Sequence, residues 1–129
     1  MGKGQGRVLL ILLLAVVALA GGETLLARGM KGTEGEGIRW TETVVRVVRS
    51  PWIWAGAGLL LLHLILYMVA LGKTDLSFAL PMTALSYPLS ALLAQVMLAE
   101  RVGPTRWLGT LLITAGVAVV GVGEALGRR

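Results

Sequence analysis

The chain has 129 residues, of which 56% are hydrophobic and only 15% are charged, and it contains no cysteine. So few charges cannot cover the surface of a soluble globule. The lack of cysteine excludes a disulfide framework, a thiolate metal site and a cysteine nucleophile. The net charge of +5 is carried by residues at the ends of long apolar runs. This placement favours anionic lipid headgroups, rather than nucleic acid, as the partner.

Four apolar segments are long enough to cross a membrane. Residues 8–22 are uncharged and are followed by Glu23, so the first span, over about 7–28, carries a carboxylate. Residues 51–72 contain no formal charge and would form a helix of about 33 Å. Residues 76–99 and 105–124 give the third and fourth spans. The sequence therefore predicts an all-α membrane protein in which residues 1–129 form one antiparallel four-helix domain.

The N-terminal segment has a second interpretation. Lys3 and Arg7 precede an apolar run that ends in Ala18-Leu19-Ala20, which is the pattern of a secretory signal with its cleavage site. However, the apolar pattern resumes after Glu23, and a fourth helix would help to bury polar groups. We therefore expect an uncleaved first helix.

Residues 29–50 form a polar connector with two different halves. The first half is rich in glycine and glutamate: Gly29, Gly32, Glu34, Gly35, Glu36 and Gly37. In the second half, apolar residues share one helical face: Trp40, Val44, Val47 and Val48. Polar residues share the opposite face: Arg39, Thr43, Arg46 and Ser50. This half predicts either a short helix in the headgroup region or an extension of the second span.

Turns at residues 73–75 and 100–106 are short, so spans two, three and four run antiparallel to their sequence neighbours. An even number of spans places both termini on one side of the membrane. Five Lys and Arg, including Arg128 and Arg129, lie on that side and seven lie on the other. The positive-inside rule therefore favours external termini only slightly, and insertion in both orientations stays open.

Glu23 and His63 are ionisable side chains within the spans and are functional candidates, because a charge at a helix centre costs about 2.5–3.5 kcal/mol. Glu23 is either an interfacial carboxylate, hydrated or paired with Arg28, or a group that binds protons or cations. His63 is either a neutral imidazole bonded to a Ser or Thr, or a proton relay or substrate donor.

The third span carries two neighbouring polar stripes. One contains Ser77, Pro81, Ala84, Pro88 and Gln95, and the other contains Thr83, Ser86 and Ser90. Prolines bend helices and free carbonyl groups, and broken helices line substrate sites in transporters. We therefore expect these residues, with Glu23 and His63, to form a substrate or proton pathway. The alternative is that the hydroxyls only join helices, at about 0.6 kcal/mol per contact.

Gly109 and Gly116 lie two turns apart on one face of the fourth span. This spacing predicts a close contact with another subunit, and the alternative is packing within the chain. Elsewhere, the sequence has one histidine and no nucleophile elbow, phosphate loop or metal-ligand spacing. We therefore expect neither an enzyme nor a bound metal or cofactor.

The order and spacing of several motifs resemble the four-helix members of the drug/metabolite transporter superfamily, the small EamA-like proteins. These motifs are Asp-Leu-Ser-Phe-Ala-Leu-Pro at 75–81, Glu-Arg-Val at 100–102, Trp-Leu-Gly at 107–109, and Gly109, Ile113 and Gly116. With a looser match at 22–25, the resemblance covers about four fifths of the chain.

Two branches of this superfamily are similar to the chain. The small multidrug resistance exporters resemble it in the glycines of the fourth span, which they use for dimerisation. Their essential first-span carboxylate aligns with Leu19, one turn before Glu23, and their third-span tryptophan aligns with Pro81. The subunits that flip undecaprenyl-phosphate-aminoarabinose share the Leu-Ser-x-Ala-x-Pro pattern of the third span.

The second resemblance implies a transporter or flippase subunit in the bacterial inner membrane that moves an amphipathic, polyprenyl-phosphate-linked sugar by alternating access. It implies a homodimer or a heterodimer with a related four-helix subunit. Basic residues near the interface would attract the phosphate: Arg28, Arg39, Arg46 and Arg49. Two alternatives stay open, a proton-coupled exporter of small molecules or drugs and a non-transporting accessory membrane subunit.

Overall fold

The computed structural model describes residues 3–32, 37 and 39–127, and within them there are helices and no strand. The helices are α1 (Lys3–Lys31), α2 (Trp40–Arg49), α3 (Pro51–Leu71), α4 (Leu76–Thr83), α5 (Ser86–Met97) and α6 (Pro104–Gly127). Four segments are long and apolar enough to cross a membrane: α1, α3, α4 with α5, and α6. The prediction of an all-α membrane protein with four spans is confirmed. Glu34, Glu36, Arg128 and Arg129, which entered the sequence interpretation, lie outside the described residues.

α1 is the central helix of the bundle and is longer than the predicted range of 7–28. It runs without a break through the candidate cleavage site, where Ala18 and Ala20 are buried. Loss of residues 1–20 would remove much of the buried face of the bundle. The packing therefore supports an uncleaved first helix, which stays a prediction.

α1 and α3 cross with their backbones in contact at two glycines. A Cβ atom built on Gly56 would lie 2.8 Å from the carbonyl oxygen of Gly22, and one built on Gly22 would lie 3.0 Å from that of Gly56. Only small residues let two helices approach so closely. Gly29 lies against Ile53 at one end of this contact, while Ala15 bonds to His63 further along. As the residue number falls from 29 through 22 to 15 along α1, the number of its partner in α3 rises from 53 through 56 to 63. α1 and α3 are therefore antiparallel.

The third span is two helices rather than the predicted continuous helix over 76–99. The break lies at Ala84 and Leu85, between α4 and α5. Pro88 has no N–H to donate to the carbonyl oxygen of Ala84, and its ring crowds that oxygen. The amide of Tyr87 donates to Ala84 instead, at 3.1 Å, and the amide of Leu85 donates to the carbonyl oxygen of Met82 at 3.2 Å. These tighter bonds turn the chain between the two helices.

The side chains of α1 also contact α5 and the turn that follows it. Ser90 bonds to Glu23, and Glu100 pairs with Lys31. Lys31 follows Glu23 along α1, and its partner Glu100 follows Ser90 in the same direction, so α1 and α5 are parallel. The four spans therefore alternate in direction along the chain. A small core joins the spans: Leu12, Ala70, Ala79, Met82 and Val117. Outside it, large apolar side chains are exposed, as on helices that face lipid, and Val119 is 72% exposed.

α2 is a separate helix and not an extension of the second span. Ser50 lies between α2 and α3 with extended backbone angles, φ −76° and ψ 119°, because a residue that precedes proline avoids the helical region. Pro51 then begins α3. Apolar residues of α2 are exposed, among them Trp40 at 87%. The apolar face of α2 is therefore available to a membrane surface.

Candidate functional site

A groove rich in arginine lies where the end of α1, the helix α2 and the start of α3 meet. Its volume is about 590 Å³. The lining residues are Arg28, Gly29, Gly32, Val45, Arg46, Arg49, Ser50 and Trp52. We call this feature the arginine groove. A hydrogen bond of 2.7 Å from the indole Nε1 of Trp54 to the carbonyl oxygen of Val48 ties α2 to α3 beside it.

The arginine groove has the electrostatics of an anion site. Among the described residues, its lining includes three guanidinium groups and no acidic side chain. The guanidinium of Arg28 lies over the ring of Trp52, 4.3 Å from the centroid, and this cation–π contact helps to hold it in place. Guanidinium groups match the geometry of phosphate oxygens. The structure thus brings together three of the four arginines predicted to attract phosphate.

The fourth of these arginines, Arg39, is exposed just before α2 and does not line the arginine groove. A smaller groove of about 320 Å³ is lined by Thr41, Glu42, Val45 and Arg46. This second groove contains a carboxylate as well as a guanidinium. The concentration of positive charge is therefore a property of the arginine groove.

Glu23 lies within the first span and contacts the third. The hydroxyl of Ser90 donates a hydrogen bond of 3.2 Å to its Oε2. Arg28, the partner expected if Glu23 were a paired interfacial carboxylate, lies over Trp52 instead. Among the residues that the structure describes, no cationic side chain lies within ion-pair distance of Glu23. Its carboxylate is therefore held by one neutral donor.

His63 lies deeper in the bundle, near the middle of α3. Its Nδ1 is 2.8 Å from the carbonyl oxygen of Ala15. Because a carbonyl oxygen only accepts, Nδ1 carries the hydrogen. The partner is thus the backbone of α1 and not the Ser or Thr expected from the sequence. The contact joins two helices at the bundle centre.

The ring of His63 is stacked on that of Tyr67, with centroids 5.8 Å apart. The hydroxyl oxygen of Tyr67 is buried and has no hydrogen-bond partner in the described part of the chain. Sequence reasoning did not single out Tyr67, because an aromatic residue in a spanning helix predicts only apolar packing. Its spacing of four residues from His63 was the available signal.

The polar residues of the third span lie in different surroundings. Ser90 meets Glu23, whereas Ser86 is buried within the bundle. The hydroxyl of Thr83 donates to the carbonyl oxygen of Leu80 at 2.6 Å, close to the helix break. Ser77 and Gln95 are exposed, and Pro81 and Pro88 are half-buried.

Gly109 and Gly116 lie on an open face of α6. A Cβ atom built on either glycine would meet no described atom within 4 Å. The alternative was that these glycines pack against another helix of the same chain. Among the described residues, no atom packs against them in this way. The open face leaves room for another helix to approach the backbone.

An ion pair joins α1 to the turn before α6. The ammonium of Lys31 donates to Oε1 of Glu100 at 2.5 Å. This hydrogen bond and the positive charge of Lys31 lower the pKa of the Glu100 carboxyl from its usual value. The pairing was missed because sequence patterns do not show which loops meet. The placement of both residues on one side of the membrane was the available signal.

These features define a small multi-pass membrane protein. Among the described residues there is no group of three or more His, Asp or Glu side chains that could hold a metal. No protein-family model matches the chain, and no solved structure matches it significantly.

Comparison with curated proteins gives significant matches. The chain is 30% identical over 111 residues to the probable 4-amino-4-deoxy-L-arabinose-phosphoundecaprenol flippase subunit ArnE of Pseudomonas fluorescens, covering 86% of this chain and 94% of that protein. It is 35% identical to the probable ArnE of Pseudomonas savastanoi pv. phaseolicola, over 64% of this chain and 75% of that protein. It is 38% identical to the probable flippase subunit ArnF of Aeromonas hydrophila, over 60% of this chain and 54% of that protein.

The chain belongs to the family of flippase subunits that includes ArnE and ArnF. The resemblance to flippase subunits that the third-span motif suggested is confirmed. The members of this family are components of a transporter, so the prediction that the chain is not an enzyme is confirmed as well.

Proposed function

We propose that the chain is one subunit of an inner-membrane flippase for a polyprenyl-phosphate-linked amino sugar, such as 4-amino-4-deoxy-L-arabinose-phosphoundecaprenol. The relatives are named for that lipid. The observation that carries the proposal is the arginine groove, because a phosphodiester is a permanent anion and needs several donors when it leaves water. The polyprenyl tail stays in the bilayer beside the exposed apolar faces of the spans.

In this proposal the arginine groove lies at the depth of the lipid headgroups, and α2 supports this position. Its apolar face is exposed, and its arginines Arg46 and Arg49 lie in the groove. An amphipathic helix of this kind lies in the membrane interface with its apolar side toward the acyl chains. The phosphate of a lipid can therefore enter the groove without leaving the plane of the headgroups.

The break at Ala84 and Leu85 supports alternating access as the mechanism. It divides the third span into α4 and α5, and α5 carries the Ser90 hydroxyl that meets Glu23. Discontinuous helices are the moving parts in many transporters, and their free carbonyl groups line the substrate path. The pathway of this proposal includes Glu23, His63 and the polar groups of the third span: Ser77, Pro81, Thr83, Ser86, Pro88, Ser90 and Gln95.

A second four-helix subunit completes the transporter in this proposal. Four spans enclose little space, and most of the surface of α6 is exposed. We place the contact at Gly109 and Gly116, where the backbone is open. The partner is a second copy or a related subunit. The relatives support this, because they are named as two different subunits of a flippase, ArnE and ArnF.

Binding of a synthetic polyprenyl-phosphate-linked amino sugar to the purified chain, measured by native mass spectrometry, tests the proposal. We expect Arg28→Gln, Arg46→Gln and Arg49→Gln each to weaken binding by about fivefold or more, because each removes a charged donor to the phosphate. Arg101→Gln is the control, since Arg101 is exposed in the turn before α6 and lies outside the arginine groove. Equal binding by all four variants, or no binding by the unaltered chain, would contradict the proposal.

A further inference from the structure

The face of α1 that carries Glu23 is buried in the middle of the bundle and exposed near the end of the helix. Leu12 precedes Glu23 by eleven residues, about three helical turns, so both lie on the same face. Leu12 is completely buried, whereas Glu23 is exposed. Met30, about two turns further along this face, is exposed as well. We call this exposed part of the α1 face, toward the end that carries α2, the opening.

Glu23 stands in this opening without a cation. Its carboxylate accepts the hydroxyl of Ser90 at 3.2 Å, and no Lys, Arg or His among the described residues lies within ion-pair distance. A carboxylate within a span is costly unless a cation or several donors meet it. One neutral hydroxyl does not neutralise the charge, so the opening is suited to a positively charged group.

The arginine groove lies elsewhere on α1 and has the opposite character. Arg28 is five residues after Glu23, about 7.5 Å along the helix axis and well over a third of a turn around it. Of the residues that the structure describes, those lining the groove include three cations and no carboxylate. The chain thus separates a site for an anion from a site for a cation.

We infer that Glu23, positioned by Ser90, binds the ammonium group of an amino sugar and so makes the transporter selective for aminated over neutral sugar headgroups. This inference rests on the proposed function, in which the headgroup carries both a phosphate and an amine. The arginine groove takes the phosphate, which every such lipid has. Glu23 takes the amine, which distinguishes one sugar from another.

Two synthetic lipids that differ in one group test the inference. One carries 4-amino-4-deoxy-L-arabinose on a polyprenyl phosphate, and the other carries L-arabinose, with a hydroxyl in place of the amine. Native mass spectrometry of the full chain gives the affinity for each. We expect the unaltered chain to prefer the aminated lipid by about tenfold or more, because charge-assisted hydrogen bonds form only with the ammonium.

Glu23→Gln should remove this preference by weakening binding of the aminated lipid alone, while affinity for the neutral lipid stays unchanged and reports an intact fold. Glu23→Asp keeps the carboxylate and should keep most of the preference. Ser90→Ala should reduce it less than Glu23→Gln does. Asp75→Asn, in the turn at the other end of the bundle, is the control and should leave it unaltered.

Equal affinity of the unaltered chain for both lipids would overturn the inference and leave the proposed function standing. A preference that survives in Glu23→Gln would also overturn it. If neither lipid binds, the proposed function fails together with the inference.

Discussion

The hydroxyl of Ser90 donates a hydrogen bond to the carboxylate of Glu23 at 3.2 Å, and this contact joins the first span to the second half of the third. Ser90 lies on α5, which the break at Ala84 and Leu85 separates from α4. A movement of α5 against α1 would therefore change the surroundings of the carboxylate directly. In the proposed mechanism, α5 is the element that moves, and it also carries the Ser90 hydroxyl that contacts Glu23.

The contact between Gly22 and Gly56 sets the separation of α1 and α3. We expect Gly56→Ala to destabilise the protein by about 1–3 kcal/mol, because the added Cβ would lie 2.8 Å from the Gly22 carbonyl oxygen and force the helices apart. Thermal unfolding in detergent measures the change. Gly58→Ala is the matched control, since a Cβ there meets no described atom within 4 Å. Equal effects of the two substitutions would show that the close approach is not a constraint.

The bond from His63 to the backbone of α1 should contribute a modest amount to stability. Replacement of His63 by leucine removes the 2.8 Å bond to the Ala15 carbonyl oxygen, so we expect a loss of about 0.6–1.7 kcal/mol, as for other bonds between membrane helices. Reversible unfolding in mixed micelles measures it. Tyr67→Phe should act in the other direction, because it deletes a buried hydroxyl that has no partner among the described residues. Destabilisation by Tyr67→Phe would show that this hydroxyl is satisfied after all.

The ion pair between Lys31 and Glu100 should depend on pH in one direction. Its bond and charge lower the pKa of Glu100 from the ordinary value of 4.5. The stabilisation it provides is therefore fully present above pH 4.5 and is lost as the pH falls through the lowered pKa of the folded state. A series of melting curves between pH 7 and pH 3 should show this loss in the unaltered chain.

Glu100→Gln should lack that component of the pH dependence. The double variant Lys31→Glu with Glu100→Lys restores opposite charges and should be more stable at pH 7 than either single variant. Single variants as stable as the double variant would mean that the pair makes no contribution.

The open glycine face of α6 should control assembly. We expect Gly109→Leu and Gly116→Leu to lower the dimer fraction in detergent, because a bulky side chain prevents close approach of a second helix. Size-exclusion chromatography with light scattering measures the fraction. Gly121→Leu is the control, since its surroundings are equally open but it lies on another side of α6. A dimer fraction that all three substitutions reduce alike, or that none reduces, would place the contact elsewhere.

The spans could be predicted because uncharged runs of this length have one physical explanation. The predicted range of 51–72 differs from α3 (Pro51–Leu71) by one residue, since Pro51 starts a helix and the turn at 72–75 ends it. The break in the third span was only half foreseen. The two prolines predicted a bend but not which of them would break the helix; in the structure the break lies one turn before Pro88.

The candidate site could be predicted in its residue types but not in its grouping. Charge placement singled out the four arginines. Only tertiary packing shows that Arg28, Arg46 and Arg49 line one groove while Arg39 does not line it. Glu23 was recognised because a carboxylate inside a span has a high free energy. The identity of its hydrogen-bond partner, Ser90, depends on the register between α1 and α5, which the sequence does not specify. Helical periodicity specifies a face and does not specify the neighbour that covers it.

Transbilayer movement of the lipid tests the central claim most directly. The complex recovered through a tag on this chain would be reconstituted into liposomes that contain a fluorescent polyprenyl-phosphate-linked aminoarabinose, and a membrane-impermeant quencher would be added outside. We expect the probe in the inner leaflet to become accessible to the quencher with the unaltered chain and to stay protected when Arg46 and Arg49 are replaced by glutamine. Continued protection of the inner leaflet with the unaltered chain would contradict the account.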